Sequence, residues 1–355
     1  MARMHKSWMV AVLALGIGAA ACKKDEKKPE GGAATGSGQT APTTVDKGTA
    51  EKADPGAGAA AMKMMSNADD LTLIPADSEI VMGLNFAQLQ KSSLWKKFVE
   101  PQMMKGDIQA KFAEFKDKCG FDPMASVQSI SLGMKNVGNK TGGAPDGVVV
   151  IHGPDKAKTV ACLTKMKAEI EKDGTKLTEA GGIYTMEKDG KSAALTHVND
   201  NTMVMVVGAN GNANGVKAAT AGTSALKTSP AFVDMYSKIK TGDSLWLLAN
   251  GNSPMFDKAS ALGVKPKAVF GSINVTDGLT LDLRIRLNTP DEATNLAGMV
   301  NGQAKQAAQM FDKFDVTTET ADLKVSIAMS TQKLEQLVAQ IMALAGGMGG
   351  GMGGP

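Results

Sequence analysis

Residues 177–207 read LTEAGGIYTMEKDGKSAALTHVNDNTMVMVV. Three segments, Leu177–Glu187, Ser192–Val198 and Met203–Val207, are rich in apolar and β-branched residues, the types that suit a pleated surface. Between them stand Lys188-Asp189-Gly190-Lys191 and Asn199-Asp200-Asn201, residue types that accept the positive φ of tight hairpin turns. The run reads as three antiparallel strands, and it decides the kind of sheet this chain builds.

Reading upstream, Gly147–His152 carries Val148 to Ile151 and reads as a buried strand. Gly153-Pro154-Asp155 after it reads as a helix start with Pro in the first turn. The helix then runs through Val160, Leu163, Met166 and Ile170. Val127–Met134 alternates as a strand, and Asn136–Asp146 is a Gly/Asn/Pro loop. Glu79–Phe86 reads as an apolar strand. Ser92 or Ser93 then caps a helix holding Leu94, Trp95, Phe98 and Val99. A second helix covers Asp107–Cys119, with Ile108, Phe112 and Phe115 on one face and Gly120 as its stop.

Reading downstream, a helix is expected near Val216–Ala221, and a similar order then begins again. Thr228-Ser229-Pro230 starts a helix, and Leu245–Ala249 follows Gly242-Asp243-Ser244 as a strand. Ser253–Leu262 reads as a short helix. Ala268–Val275 and Leu279–Leu287 alternate as strands joined at Asp277-Gly278. Thr289-Pro290-Asp291 starts a long helix to about Phe311. Phe314–Thr320 and Leu323–Met329 pair as strands, and Thr331 caps a final helix, Leu334–Leu344. Asp243-Ser244 echoes Asp77-Ser78 before a strand. Pro290-Asp291-Glu292-Ala293 echoes Pro154-Asp155-Lys156-Ala157 after one. The expected fold is α+β: two related units, 70–222 and 223–345, each an antiparallel sheet covered by helices.

The ends are of another kind. Arg3, His5 and Lys6 precede an uncharged apolar run from Trp8 to Ala21. At about 1.5 Å per residue that run spans roughly 21 Å, short of the ~30 Å hydrocarbon core of a bilayer. It has the basic start, apolar middle and small residues of an export signal. Lys23 to Asp69 is Gly, Ala, Thr, Pro, Lys and Glu with few large apolar groups, a composition that does not support a packed core. It reads as a disordered linker with an r.m.s. reach of roughly 35–40 Å. Gly346–Pro355 is a Gly/Met tail expected to be flexible.

Ala19-Ala20-Ala21-Cys22 resembles the signal box of bacterial lipoproteins, with Ala19 where Leu is commonest. The resemblance covers residues 1–22. It implies cleavage after Ala21, lipidation of Cys22, and a mature chain held by its acyl chains in the cell envelope. Lys23, not Asp, at the next position implies the outer membrane. The alternative is an ordinary signal cut near Ala21, leaving Cys22 as a free thiol. The body of the chain, from the Pro75-Ala76-Asp77 phrase onward, resembles envelope lipoproteins of the myxobacterial type, a likeness that brings no activity with it.

Arg3 and Lys6 belong to the leader, so the 39 basic and 36 acidic residues of the whole chain leave a nearly neutral mature part. No nucleic-acid partner is implied. Aromatic residues make up 4% and there are 23 Met, so apolar surfaces here rest on aliphatics and Met. Apart from Cys22 the cysteines are Cys119 and Cys162. In an exported protein they are expected to form a disulfide; two buried thiols are the alternative. Neither has a Cys or His at metal-ligand spacing, and no metal or cofactor is expected.

His152 and His197 fall in strands with no Asp or Cys at triad or ligand spacing, and both read as structural or surface histidines. Gly190-Lys191-Ser192 lacks the upstream Gly of a phosphate loop and reads as a turn. Gly208 to Gly215 precedes a helix, a context for anions at helix amides, but lacks dinucleotide spacing and also reads as a turn. No catalytic residues are expected. The leading expectation is a membrane-anchored envelope lipoprotein that binds or scaffolds without catalysis. Its partners are the membrane, through the anchor, and envelope proteins or a lipid. The alternatives are a carrier of an apolar ligand between sheet and helices, and an enzyme with an unrecognised site.

Overall fold

The computed structural model describes residues 70–348 other than 105, 138–144, 224 and 257–264. The expected signal, Cys22, the expected linker, most of the expected Asn136–Asp146 loop, most of the Gly/Met tail and the later part of the expected Ser253–Leu262 helix lie outside the described residues.

Twelve strands form one antiparallel sheet. They are β1 (Ile80–Leu84), β2 (Ser129–Lys135), β3 (Asp146–His152), β4 (Lys176–Ala180), β5 (Ile183–Lys188), β6 (Lys191–Asn199), β7 (Thr202–Val207), β8 (Leu245–Asn250), β9 (Ala268–Asn274), β10 (Leu279–Arg286), β11 (Lys313–Glu319) and β12 (Asp322–Met329). Their order is β11-β12-β10-β9-β8-β1-β2-β3-β7-β6-β5-β4. The fold is α+β with an antiparallel sheet, but the strands of both halves share that one sheet. The seam is β1, which pairs with β2 on one side and with β8 on the other, Met82 standing opposite both Leu132 and Leu247.

The principal helices are α1 (Phe86–Lys91), α2 (Gly106–Cys119), α3 (Lys156–Lys172), α4 (Ala213–Ala221), α5 (Pro230–Ser237), α6 (Pro290–Ala307) and α7 (Thr331–Met348). Their ends follow local chemistry. The Asp155 carboxylate accepts from the Lys158 amide at 2.8 Å to start α3. Ser229 caps α5 ahead of Pro230. Gly222, at φ +67°, closes α4 in the left-handed conformation that glycine takes without strain.

Several boundaries differ from the sequence reading. Leu177–Glu187 is two strands, because Gly181 and Gly182 take φ +61° and +78° and turn the chain into a hairpin, β4 against β5. β1 ends at Leu84: the Asn85 side chain accepts from the Gln88 amide and begins α1, so Phe86 is helical. Ser92 does cap the next segment, its hydroxyl accepting from the Trp95 amide at 3.2 Å, and that segment runs as a π turn, Trp95–Val99, before Glu100–Met103. Ile108, which shares one face of α2 with Phe112 and Phe115, is 48% exposed. The last helix extends to Met348, into the expected tail.

The two faces of the sheet bury different sets. On one, Val81, Val148, Val204, Trp246 and Phe270 pack against Leu71, Ile74, Val216, Leu226 and Phe232 from α4, α5 and the segments beside them. On the other, Leu323 and Val325 of β12 meet Ala297 and Val300 of α6. At Asp322 the first face turns ionic. Arg286 donates to it twice, at 2.7 and 2.9 Å, and Lys238 once, at 3.3 Å. Burial pushes the Asp322 carboxyl up, and these cations outweigh that and hold it below the usual carboxylate range. Among the described residues no helix is long and apolar enough to cross a membrane.

Candidate functional site

A cavity of about 250 Å³ opens between α4 and the sheet. It exists because both surfaces lack side-chain volume. The helix presents Gly215, Ala218, Ala219 and Gly222, and the strands present Gly133 and Gly147 beside Val148 and Val206. Val216 anchors α4 as the fully buried member of its core-facing stripe, so the small residues around it leave space without loosening the helix. That stripe is what amphipathic spacing makes of residues 213–221.

The third wall is a strap, residues 70–78, that crosses the sheet before β1. Its first turn is the 3-10 segment Asp70–Thr72. Ile74 is fully buried, and its Cγ2 would stand 2.4 Å from a Cβ on Gly133. Glycine at 133 is therefore what lets the strap lie this close. The strap is tied along its length: Pro75 bridges Ala225, the Leu226 amide donates to the Ile74 carbonyl at 2.8 Å, and the Ser78 hydroxyl donates to the Pro75 carbonyl at 2.7 Å.

Its start is pinned by side-chain hydrogen bonds. Asp70, 1% exposed, meets His152 Nε2 at 2.7 Å, and His152 Nδ1 meets the Thr202 hydroxyl at 3.1 Å. The order Asp-His-Thr has the form of a proton relay. Thr202 is buried, however, and none of the three lines the cavity. Both ring nitrogens are committed, and the effect is to fasten the strap to β3. The expectation of a structural His152 holds in its role, but its partner was missed. Asp70 lies 82 residues upstream, and no local spacing could reveal it.

Tyr236 sits beside this cluster, its ring edge-on to Trp246 at 5.3 Å. Burial pushes its phenol up to about 12, the Thr241 hydrogen bond pulls the other way, and the charge of Asp70 adds to the rise. The folded state thus holds this proton more tightly than the unfolded chain, whose tyrosine titrates near ~10. The sign follows from linkage: the contribution to stability is complete below pH ~10 and is lost as pH rises through about 12. A tyrosinate absorbance titration of wild type against Tyr236→Phe should show one late-ionising group, and the variant should lose less stability over that interval. Equal alkaline loss in both proteins would contradict the assignment.

The lining also holds charged groups. Lys135 pairs with Asp77 at 2.8 Å. Asp146, 8% exposed, accepts from the Ala209 amide at 2.6 Å and from the Asn136 side-chain amide at 2.9 Å. Asn136 holds φ +60° to reach it.

The other residues singled out in the sequence lie apart. Cys119 and Cys162 are joined as a disulfide between α2 and α3, with Cα atoms 4.6 Å apart, and the Met166 sulfur lies 3.5 and 3.7 Å from their sulfurs. His197 stands in β6, where burial lowers its pKa, Lys156 lowers it further and Asp155 opposes both. Gly190 is the second residue of a hairpin turn with φ +72°. The amides at the start of α4 that an anion would need are taken by the Asn212 side chain, which accepts from Asn214 and Gly215. Among the described residues no cluster of His, Cys, Asp and Glu is placed to hold a metal.

Fold and cavity together describe an α+β protein with one broad antiparallel sheet and a small aliphatic cleft under a helix. No family model matches the chain, and no curated protein matches it. Among solved structures it is similar to TP0453. Crystal form III gives a TM-score of 0.48 at 9% identity, covering 76% of this chain and 97% of that one. Crystal form I gives 0.45 at 10%, covering 76% and 96%.

Proposed function

We propose that this chain is a non-catalytic, lipid-anchored binding protein of the cell envelope, tethered to the outer membrane through Cys22, whose domain carries a small apolar ligand. The observation that favours the carrier reading over scaffolding alone is the cleft under α4. Its lining is mainly aliphatic and glycyl, and the charged groups in it, Asp77, Lys135 and Asp146, already have hydrogen-bond partners. A surface of this kind binds by excluding water from an apolar body, with few polar atoms to orient it. The basic start, apolar run and Ala20-Ala21-Cys22 carry the anchoring half of the proposal. One acyl chain holds only marginally and stable attachment takes more than one.

Mass spectrometry of the full chain extracted from membranes tests both halves. Denatured, it should show a mature chain beginning at Cys22 with acyl mass added. Under native conditions it should show a further mass that leaves on unfolding. Cys22→Ala should move nearly all of the protein out of the membrane fraction. Persistence of that variant in the membrane would sink the anchor. A bare native mass, unchanged by incubation with small apolar compounds, would sink the carrier and leave scaffolding through envelope proteins.

We also propose that the two halves are related by duplication. Outward from the seam the strands run β1-β2-β3-β7-β6 on one side and β8-β9-β10-β12-β11 on the other. In both, a long helix follows the third strand, α3 or α6. The β4–β5 hairpin is then an addition to the first half.

A further inference from the structure

We infer that the cavity under α4 selects ligands whose apolar body ends in a cationic group and rejects fatty carboxylates of the same length. The inference rests on the carrier reading and goes further, to the chemical class carried.

Size comes first. An apolar cavity of about 150 Å³ accommodates benzene. At about 250 Å³ this one holds, in proportion, a body of roughly ten carbon atoms. That excludes a whole two-chain lipid and admits a short aliphatic chain.

Charge in the lining then discriminates among short chains. Among the described residues three charged ones line the cavity: Asp77, Lys135 and Asp146. Asp77 and Lys135 neutralise each other at 2.8 Å, and Asp77 is mostly exposed, its side chain 62% accessible. Asp146 is different. It is nearly buried, and its two oxygens take neutral N–H donors from Ala209 and Asn136. Among the described residues no Lys, Arg or His forms an ion pair with it. A carboxylate removed from water and bonded only to neutral donors favours a cation more than an exposed one does. A ligand lying along Val148 and Val206 brings its polar end to Asp146, two residues before Val148 on the same strand. An ammonium there gains Asp146 without disturbing the Lys135–Asp77 pair. A carboxylate there faces a like charge, and to reach Lys135 it has to displace Asp77.

Three eight-carbon probes that differ only at the end decide this: octylammonium, octan-1-ol and octanoate, titrated by calorimetry into the full chain. The expected order is octylammonium, then octanol, then octanoate. The ammonium should bind about tenfold or more tighter than the carboxylate. That gap should narrow in Asp146→Asn. Should that variant fold poorly, raising salt on the wild type serves instead: the ammonium–carboxylate gap should shrink while octanol stays level. If octanoate binds as well as octylammonium, or the gap ignores both Asp146 and salt, charge selection is wrong and the carrier reading stands. If none of the three binds, and Ala219→Leu changes nothing, the cavity is not a binding site and both readings fall.

Discussion

Gly83→Ala is expected to destabilise the folded protein by about 3 kcal/mol, the upper range for forcing one extra carbon into a packed core. The reason is the Trp246 indole. It is 1% exposed and lies across the strand next to its own, over Gly83, which pairs with both Trp246 and Ser131. A Cβ on Gly83 would stand 2.1 Å from the indole Nε1 and 2.3 Å from Cε2. Neither is the end of a flexible chain. The ring is also packed edge-on against Tyr236 and is almost fully buried, so moving it aside disturbs other core contacts. The loss should appear as a lower urea midpoint with an unchanged slope. A second variant separates crowding from strand propensity: in a Trp246→Leu background, itself weakened by the lost ring, Gly83→Ala should cost far less, since the smaller side chain leaves room. Strongly coupled costs are the mark of residues in contact. Additive costs would mean that the indole is not what glycine makes room for.

Gly83 also shows what the sequence could and could not reveal. Periodicity found the strand it sits in, and composition found antiparallel pairing, because hairpin turns and alternation are local. Nearly every strand was legible for that reason. The exception is local as well: Gly181-Gly182 falls inside an expected strand, although two glycines in a row are a turn signal in their own right. The single sheet was not legible. Two runs of strands in similar order fit two sheets as well as one, and the seam between β1 and β8 joins residues far apart in the chain with no charge or turn to mark it. The cavity was hidden for a related reason. Gly215, Ala218, Ala219 and Gly222 look like a weak helix until the sheet beneath them proves to carry Gly133 and Gly147. The Asp70–His152 pair was hidden because its carboxylate sits at the edge of a stretch read as linker. Ile108, 48% exposed, shows the remaining gap: helical spacing identifies an apolar face but not whether a neighbour covers it.

Loss of the Cys119–Cys162 disulfide is expected to cost about 4 kcal/mol, the chain-entropy value for a loop of this length, where the separation is 43 residues. The loss should concentrate in α2. Of that helix's described side chains only Cys119 is buried, and most of the others face solvent. Apart from the disulfide, its ties to α3 include the Lys118–Glu169 ion pair at 2.6 Å, an exposed contact of the kind that contributes little. The hydrogen bonds that Lys118 donates to Glu114 and Glu169 raise its pKa, so this pair persists to alkaline pH without adding much. β2 and β3, which the disulfide loop encloses, are held instead by the ladder on both sides. In the double variant Cys119→Ser/Cys162→Ser, hydrogen exchange should therefore accelerate through α2 while β1, β2 and β3 keep their protection, the pattern of local opening below global unfolding. The intact wild-type mass should run two hydrogens short of the reduced chain. A variant that keeps the wild-type urea midpoint and the protection of α2 would show that packing, not the covalent bond, fastens this helix.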